Sequence, residues 1–337
     1  MPHTLHYTVM SLEPSVGILL VNTGTPDAPT REAVVRYLRG FLMDRRIVNI
    51  PPLFWKPVLN GIILRVRPEK TVRIYRSIWT PTGSPYTLHS CALEQALAQT
   101  LNTEGHDDIL VRMAHRYGNP SMESALHDFQ QRKVTHMVVL PLYPQQAFPT
   151  TYSVHDELMR QLSQLHYEPR LTFIWDYFDN AAWIQAVADS IRPHIPQDSS
   201  QSHLLFSFHS EPLKDVRDND PYAHQVEQSV LAIGAACGLA RENFSWAYQS
   251  QFDDTRRWLG PFLSKKIDEL KKRKVRDLQV VCPGFAVDCT ETLYDINKQL
   301  RAELSWDFPA EHFDYIPCLN EAPAHAQALA KIIKHHL

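Results

Sequence analysis

The sequence predicts an α/β fold: two Rossmann-like, doubly wound parallel-sheet domains with a cleft between them. Strand-like apolar runs alternate with helical segments in two separate series, one in each half of the chain. Such alternation favours parallel sheets joined by right-handed crossovers. The first run, Val16–Asn22, is almost continuously apolar, as in a strand that helices cover on both faces.

In the first series, each strand is followed by a turn and then by a helix. Thr30 is placed to cap the first helix, because its hydroxyl can accept a hydrogen bond from an unpaired backbone N–H. The other predicted elements are the helix 31–41, the strand 108–114, a helix from Met122, the strand 135–142 and a helix near 153–165.

The second series predicts the strands 203–208 and 278–281 and a helix over 290–304. We therefore place an N-terminal domain at 1–168 and a C-terminal domain at 169–322. The last segment, 323–337, is predicted to be a helix that packs back on the first domain. Ligands of open α/β sheets bind beyond the carboxyl ends of the strands, so the loops at those ends are the candidate site.

Composition excludes several classes of protein. The 337 residues carry a net charge of −3, which argues against nucleic acid as a partner, because phosphate backbones require a basic excess. No apolar run reaches the ~20 residues of a membrane-spanning helix. Met1 to Pro14 lack the pattern of a signal peptide, so we expect a cytoplasmic protein. The five cysteines include no Cys-x-x-Cys pair, which is typical of reduced thiols rather than of a zinc site.

A histidine, His209, stands at the exit of the predicted strand 203–208. A histidine there can face a cleft and act as a base near neutral pH or as a metal ligand. The alternative is a histidine that only makes structural hydrogen bonds.

Two acidic residues, Glu291 and Asp295, follow the predicted strand 278–281 and its Pro-Gly turn. Their spacing of four places both carboxylates on one face of a helix. One interpretation is that acidic residues simply favour the positive end of the helix dipole. The other is a carboxylate relay that accepts protons or passes on a cation, since two adjacent negative charges are unfavourable without one.

The segment 41–67 is rich in apolar and aromatic residues and is flanked by arginines. It can form one or two core helices with basic ends. It can instead form an apolar lip that grips a flat hydrophobic ligand, with arginines for the carboxylates of that ligand. A lip of this kind can also touch a membrane surface, through Phe54, Trp55 and Ile62 with the basic residues Arg45, Arg46, Arg65 and Arg67.

Eight short motifs, in order, resemble those of the ferrochelatase family, particularly its Gram-negative bacterial branch, and the resemblance runs from about Gly17 to Pro323. Each motif alone is short, but their order and spacing together are highly specific. They are Val21–Pro26, Phe41–Arg46, Gly83–Pro85, Arg116–Pro120, Leu140–Gln145, Ser207–His209, Asp220–Tyr222 and Cys282–Leu293.

The resemblance implies a chelatase-like fold with a porphyrin cleft and an essential pair of side chains, His209 and Glu291, as metal ligands or proton acceptors. Asp295 is implied as a further metal or proton relay. The residues expected to bind the substrate are Thr23, Leu42, Arg45, Ile47, Arg116, Tyr117 and Tyr143.

The implied activity is insertion of ferrous iron into protoporphyrin IX, which gives protohaem and releases two protons in the terminal step of haem biosynthesis. Iron is then a substrate, and we expect neither a further cofactor nor a [2Fe–2S] cluster. We expect a monomer or homodimer, possible peripheral contact with the inner membrane, and no nucleic acid. Departures from the family pattern at Gln146, Glu211 and Gln251 keep open a relative that binds porphyrin or haem without metallating it. A chelatase for another tetrapyrrole or metal is a third alternative.

Overall fold

The computed structural model describes residues 16–106, 108–197, 201–251, 256–309 and 311–337. The predicted absence of a signal peptide concerns Met1 to Pro14, which lie outside these ranges. Within them, eight strands form two four-stranded sheets, and all pairings between neighbouring strands are parallel. The predicted fold class is confirmed.

The first sheet has the strand order β2-β1-β3-β4. Its central strand pairs with two neighbours and is buried along nearly its whole length, which explains its apolar sequence. The strands are β1 (Val16–Asn22), β2 (Ile109–His115), β3 (His136–Pro141) and β4 (Arg170–Phe173).

Of the six helices of this half, α1, α5 and α6 begin where the sequence predicts, and two of these three have side-chain caps. Thr30 Oγ1 accepts from the Ala33 N–H, and Ser121 Oγ accepts from the Ser124 N–H. The helices are α1 (Arg31–Met43), α2 (Pro52–Val58), α3 (Leu64–Ile78), α4 (Pro85–Thr103), α5 (Met122–Gln131) and α6 (Ser153–Leu165), with π-helical turns at Leu59–Ile63 and Phe148–Tyr152.

The second sheet repeats the design with the order β6-β5-β7-β8. Its strands are β5 (Ser202–His209), β6 (Phe244–Gln249), β7 (Asp277–Val281) and β8 (Phe313–Ile316). Its helices are α7 (Ala181–Ile191), α8 (Leu213–Arg217), α9 (Tyr222–Ala236), α10 (Leu263–Lys272), α11 (Thr290–Leu293), α12 (Arg301–Glu303) and α13 (Pro323–Lys334).

The predicted continuous helix 290–304 is wrong in its middle. A π-helical segment, Asp295–Leu300, separates α11 from α12. The cause is local: the Gln299 N–H bonds the Tyr294 carbonyl five residues earlier at 2.7 Å, which widens the turn. The change from α-helix to π-helix therefore falls between the two predicted acidic residues, Glu291 and Asp295.

The sequence analysis places a domain boundary between residues 168 and 169. The strand β4 lies beyond that boundary in sequence, yet it pairs with β3. The first sheet therefore continues to Phe173. The terminal helix α13 packs against α4 of the first half and also against α7 of the second.

The carboxyl ends of both sheets carry the loops between strands and helices that the sequence nominates for a site. In the described ranges, no helix is long and apolar enough to cross a membrane. The buried core instead continues between the halves, since one apolar cluster includes residues such as Leu20 and Phe206.

Candidate active site

A deep cleft opens where the carboxyl ends of the two sheets face each other. Its wall includes Thr23 after β1, Arg116 after β2 and Tyr143 after β3 from the first half. The second half contributes His209 at the end of β5 and Glu291 in α11. The cleft and its open mouth together hold about 1520 Å³ of space between these walls.

Two hydrogen bonds, one from the His209 ring and one to its backbone, fix the position of His209. Its Nδ1 lies 2.6 Å from the Ser210 carbonyl oxygen. Because a carbonyl can only accept, the imidazole proton belongs on Nδ1, and Nε2 is left as the acceptor nitrogen. The Tyr222 hydroxyl donates to the His209 carbonyl at 3.0 Å, which anchors the strand end.

Glu291 lies in the first turn of α11 and is held by neighbours on both sides. The Thr290 hydroxyl donates to its carboxylate at 2.6 Å. The Gln249 side chain donates to its backbone carbonyl at 3.0 Å and accepts from Ser207 at 2.6 Å. Gln249 thus links β5, β6 and α11, and it fixes the helix that carries Glu291 relative to the strand that carries His209.

Asp295 does not line the cleft, although it lies one turn beyond Glu291. Burial raises its pKa to about 7, with a further contribution from the nearby Glu291 charge. The Ser250 hydroxyl donates to its carboxylate at 3.2 Å. The two carboxylates therefore interact, with Asp295 behind Glu291 as seen from the cleft.

Thr23 and Tyr143 form one contact on the wall of the first half, with their hydroxyl oxygens 2.8 Å apart. The turn that follows Thr23 is tight. Gly24 has a φ of +106°, and a Cβ there would lie 1.9 Å from the Tyr117 carbonyl oxygen. Only glycine fits this approach of two backbones.

Arg116 and Tyr117 line the cleft, but both are bound to Asp44. The Asp44 Oδ2 atom accepts from the Arg116 guanidinium at 2.6 Å, from the Tyr117 hydroxyl at 2.7 Å and from the Ser153 hydroxyl at 2.5 Å. Stacking of the guanidinium on the Tyr117 ring, 4.6 Å from its centroid, tightens the cluster. Arg116 is therefore positioned by protein contacts before any substrate arrives.

The three other predicted substrate residues have different places. Ile47 lines the cleft. Arg45 lines a groove that adjoins the cleft. Leu42 is only 1% exposed and packs in the core between α1 and α3, because it lies on the inner face of α1. Its carbonyl accepts from the Trp55 indole at 2.6 Å.

The segment from α2 to the start of α3 exposes apolar side chains, which the core-helix interpretation does not explain. Phe54 is 68% exposed and Ile62 is 61% exposed, whereas Trp55 is half-buried. We use the name lip for the exposed apolar side chains of this segment: Leu53, Phe54, Val58, Ile62 and Val66.

A buried carboxyl group, Glu211, lies in the cleft wall two residues after His209. Burial raises its pKa to about 9, and the charges of Asp220 and Asp215 add to the effect. Asp220 accepts two backbone N–H groups, from Phe148 at 2.5 Å and Tyr222 at 3.0 Å. As a carboxylate Glu211 has no donor within the described residues; a proton on it allows a hydrogen bond to Asp220.

Several cleft residues escaped the sequence analysis. Tyr37, Tyr75 and Tyr86 come from three helices that the chain order does not place together. Tyr37 offers a weak signal, since it precedes Phe41 by one helical turn and their rings stack with centroids 6.1 Å apart. Of the departures from the family pattern, Glu211 lines the cleft and Gln146 does not, while Gln251 is exposed.

A preformed polydentate metal site is not part of this cleft. No group of three or more His, Cys, Asp or Glu side chains suited to hold a metal occurs in the ranges that the structure describes. His209 and Glu291 supply one imidazole and one carboxylate.

The fold and the cleft define a chelatase-like protein. The structure of SirB from Bacillus subtilis with Fe³⁺ is similar, with a TM-score of 0.52, 11% identity and 95% coverage of both chains. The sirohydrochlorin chelatase SirB from Bacillus subtilis subspecies spizizenii, in complex with cobalt, gives 0.50 at 11% identity over 95% of this chain and 94% of that one. At this identity the likeness concerns the fold alone.

The sequence places the chain more narrowly. The family model named Ferrochelatase matches residues 15–337. Ferrochelatase 2 of Shewanella oneidensis is 39% identical over 322 residues, 96% of this chain and 98% of that protein. A ferrochelatase of Escherichia coli is 40% identical over 317 residues, 94% of this chain and 97% of that protein. This chain belongs to the ferrochelatase family, and the resemblance seen in its motifs is confirmed.

Proposed function

We propose that this chain inserts ferrous iron into protoporphyrin IX to give protohaem, with release of two protons, as the terminal step of haem biosynthesis. Membership of the ferrochelatase family supports the reaction. The observation that carries the proposal is a single cleft lined by both His209 and Glu291, with the imidazole fixed so that Nε2 is the acceptor nitrogen.

In this proposal His209 is a base for the porphyrin. Metallation breaks two pyrrole N–H bonds, and the nitrogen lone pairs that remain bind the metal. Nε2 of His209 takes a pyrrole proton, because the hydrogen bond from Nδ1 to Ser210 leaves that nitrogen unprotonated. The imidazolium then releases the proton to solvent.

In this proposal, Glu291 and Asp295 bind the ferrous ion and accept the second pyrrole proton. Glu291 faces the cleft and can contact ferrous iron, while Asp295 behind it is half-buried and has a pKa raised to about 7. A carboxyl group poised near neutral pH can accept a proton from its neighbour and return it to water. The pair therefore serves as a relay rather than as a permanent metal site.

The cleft wall binds the macrocycle. Thr23, Ile47 and Tyr143 supply contacts from the first half, and the aromatic residues Tyr37 and Tyr86 extend the apolar surface. Contacts remote from the pyrrole nitrogens can hold the ring bent, so that binding energy supports the geometry in which lone pairs face the metal. Arg116, held by Asp44, positions the wall.

Further parts of the proposal concern partners. Iron is a substrate, and we propose that the chain holds no [2Fe–2S] cluster. The buried thiols of Cys282, Cys289 and Cys318 support this, because burial raises the pKa of each thiol and disfavours the thiolate that ligates iron. We propose a monomer or homodimer in the cytoplasm, with the lip in peripheral contact with the inner membrane.

Anaerobic incubation of the purified chain with protoporphyrin IX and ferrous iron tests the activity. We expect the visible absorption bands of the free porphyrin to be replaced by those of haem, with zinc as an oxygen-tolerant substitute metal. Porphyrin binding without any change of these bands would contradict the proposal and indicate a binding protein. Faster turnover of coproporphyrin, or of cobalt, would indicate another chelatase.

A further inference from the structure

A second cavity lies at the outer edge of the second sheet, away from the cleft. We call it the edge pocket and define it by Arg241, Ser245, Trp246, Pro261, Lys266 and Arg273. It is built on the first residues of the edge strand β6 and on one side of α10. Because parallel strands share their direction, this is the amino end of the sheet, opposite to the end that carries His209. None of its residues lines the cleft.

Three cationic side chains surround the edge pocket. Lys266 pairs with Glu269 at 2.6 Å. Arg241 and Arg273 have no carboxylate partner within the described residues. Arg241 donates to the Phe244 carbonyl at 3.0 Å, and Arg273 donates to the Glu242 carbonyl at 2.8 Å. Each guanidinium thus has only a backbone carbonyl as its hydrogen-bond acceptor here and retains N–H donors for another acceptor.

The position of Arg241 is fixed by aromatic rings rather than by opposite charge. Its guanidinium carbon lies 5.1 Å from the centroid of Phe244 and 5.5 Å from that of Trp246. Such stacking orients a guanidinium while leaving its edge available for hydrogen bonds. The side chain is held in place at the rim of the pocket.

The charges of these three cations lower the pKa of a buried histidine next to the pocket, His203. His203 is 1% exposed, and its Nε2 shares a hydrogen bond of 2.8 Å with the Ser245 hydroxyl. Burial lowers its pKa to about 3, and Arg273, Lys266 and Arg241 contribute in that order. All three cations therefore lie close enough to His203 to affect its pKa. The imidazole itself stays neutral and adds no charge to the site.

We propose that the edge pocket binds a phosphate group, either as inorganic phosphate or as a phosphate monoester. Three cations converge on one concave site, which suits a dianion with several peripheral oxygens better than a single carboxylate. Among described residues, Glu242 is the only acid in the lining of this cavity, and Glu269 outside the lining pairs with Lys266. Three cations therefore outnumber two carboxylates. The site is separate from the proposed iron insertion and does not depend on it.

The thermal midpoint of the full chain, measured against inorganic phosphate at constant ionic strength and about pH 8, tests the proposal. A specific site stabilises the folded state in a saturable way, whereas general salting effects keep rising with concentration. We expect saturation, and about tenfold weaker half-saturation in Arg241→Gln and in Arg273→Gln, because each loses a charge-assisted hydrogen bond. Arg192→Gln, at an exposed arginine that follows α7 and does not line the edge pocket, is the matched control.

Glycerol 3-phosphate in a parallel series separates the two sources of the phosphate group. Tighter binding than inorganic phosphate supports a monoester as the ligand, and equal binding supports recognition of the phosphate alone. Metallation activity without phosphate should be unchanged in both variants, since neither residue lines the cleft. A parent response that does not saturate, or one that survives in both variants as in Arg192→Gln, would overturn the proposal.

Discussion

His209 and Glu211 are separated by one residue, yet their surroundings give them different chemistry. His209 is partly exposed to the cleft, and its tautomer is set by the Ser210 carbonyl. Glu211 is 3% exposed and faces the carboxylates of Asp220 and Asp215. Imidazole at this position can exchange protons with a ligand, whereas the carboxyl group is held neutral by its environment.

His209→Ala should lower the rate of metallation by roughly 10²–10⁴-fold, the usual contribution of a general base. Porphyrin binding and the thermal midpoint should change little, because a side chain that faces a cleft leaves only a small cavity. His224→Ala, on the exposed face of α9, serves as the control in the same assay. Near-normal turnover of ferrous iron by His209→Ala would remove this residue from the mechanism.

Glu211 should make the folded state sensitive to pH. Its pKa rises from 4.5 to about 9 on folding, so the folded chain holds a proton that the unfolded chain loses. This contribution to stability is complete below pH 4.5 and is lost as pH rises through about 9. Between these limits the free energy of unfolding should fall by up to about 1.4 kcal/mol per pH unit from this group.

Urea unfolding of the parent and of Glu211→Gln at several pH values measures that slope. The amide cannot ionise, so the free energy of unfolding of the variant should decline less steeply with pH, and the variant should be the more stable protein at about pH 8. Glu227→Gln, on the exposed side of α9, should keep the slope of the parent. Parallel pH profiles for the parent and Glu211→Gln would show that Glu211 is not the responsible group.

At the scale of elements, the segment after β7 joins two kinds of helix within a few residues. Glu291 belongs to α11, and Asp295 begins the π-helical segment. π-Helical turns inserted in helices occur frequently at functional sites. Here the wider turn begins at the residue that interacts with Glu291 from behind, so the backbone irregularity and the acidic pair coincide.

Glu291 and Asp295 should act as one unit in metallation. We expect Glu291→Gln to reduce the rate at least a hundredfold and Asp295→Asn about tenfold, since only Glu291 lines the cleft. The double variant should be no slower than Glu291→Gln alone. Once Glu291 is replaced, the relay no longer functions, so loss of Asp295 has no further effect on the rate. Rate measurements across pH 6 to 8 should also show that Asp295→Asn loses an ionisation near pH 7.

Asp268→Asn, an exposed residue of α10, controls for removal of a charge. Rate losses that multiply independently in the double variant would contradict the relay. They would instead support the simpler interpretation that both acids stabilise the start of the helix.

Elements with strong local signals could be predicted from the sequence. The bounds of β1 and α6 agree with the predicted ones, because continuous burial and helical periodicity are properties of the segment itself. The strands β4, β6 and β8 were not predicted. They lie on the edges or outer positions of the sheets and are short or partly exposed, so their sequences lack a continuous apolar run.

The residues of the candidate site also divide into those that the sequence predicts and those that it does not. His209, Glu291, Thr23 and Tyr143 follow strands, and the topology alone brings such positions to one edge. Leu42 was assigned to the substrate because it belongs to a motif, but the inner face of α1 buries it. Tyr75 comes from α3, whose approach to the cleft depends on packing against α1 and α11. No pattern in the sequence encodes that packing directly.

At the scale of the whole molecule, the cleft adjoins the groove, and two lip residues, Ile62 and Val66, line that groove. Arg46 and Ile47 line both the cleft and the groove. The groove also contains basic residues, among them Arg45, Arg67 and Lys214. We propose that the two domains divide after Phe173, where the first sheet ends, and that the lip belongs to the first domain and borders the entrance.

The lip should bind anionic membranes peripherally, with exposed apolar side chains inserted among the headgroups and arginines near the phosphates. Cosedimentation with liposomes should show binding that weakens as salt is added. Phe54→Ser should weaken it about tenfold, because the phenyl ring would lose an apolar contact, and should leave the thermal midpoint nearly unchanged, since the side chain is 68% exposed.

Two tryptophans provide matched controls for this prediction. Trp55 is half-buried and donates to the Leu42 carbonyl, so Trp55→Ser should lower the thermal midpoint as well. Trp306 is 95% exposed but lies in the second half, so Trp306→Ser should alter neither property. If Phe54→Ser and Trp306→Ser both bind liposomes as well as the parent does, membrane contact does not occur through the lip. The exposed apolar side chains would then have to serve the passage of porphyrin alone.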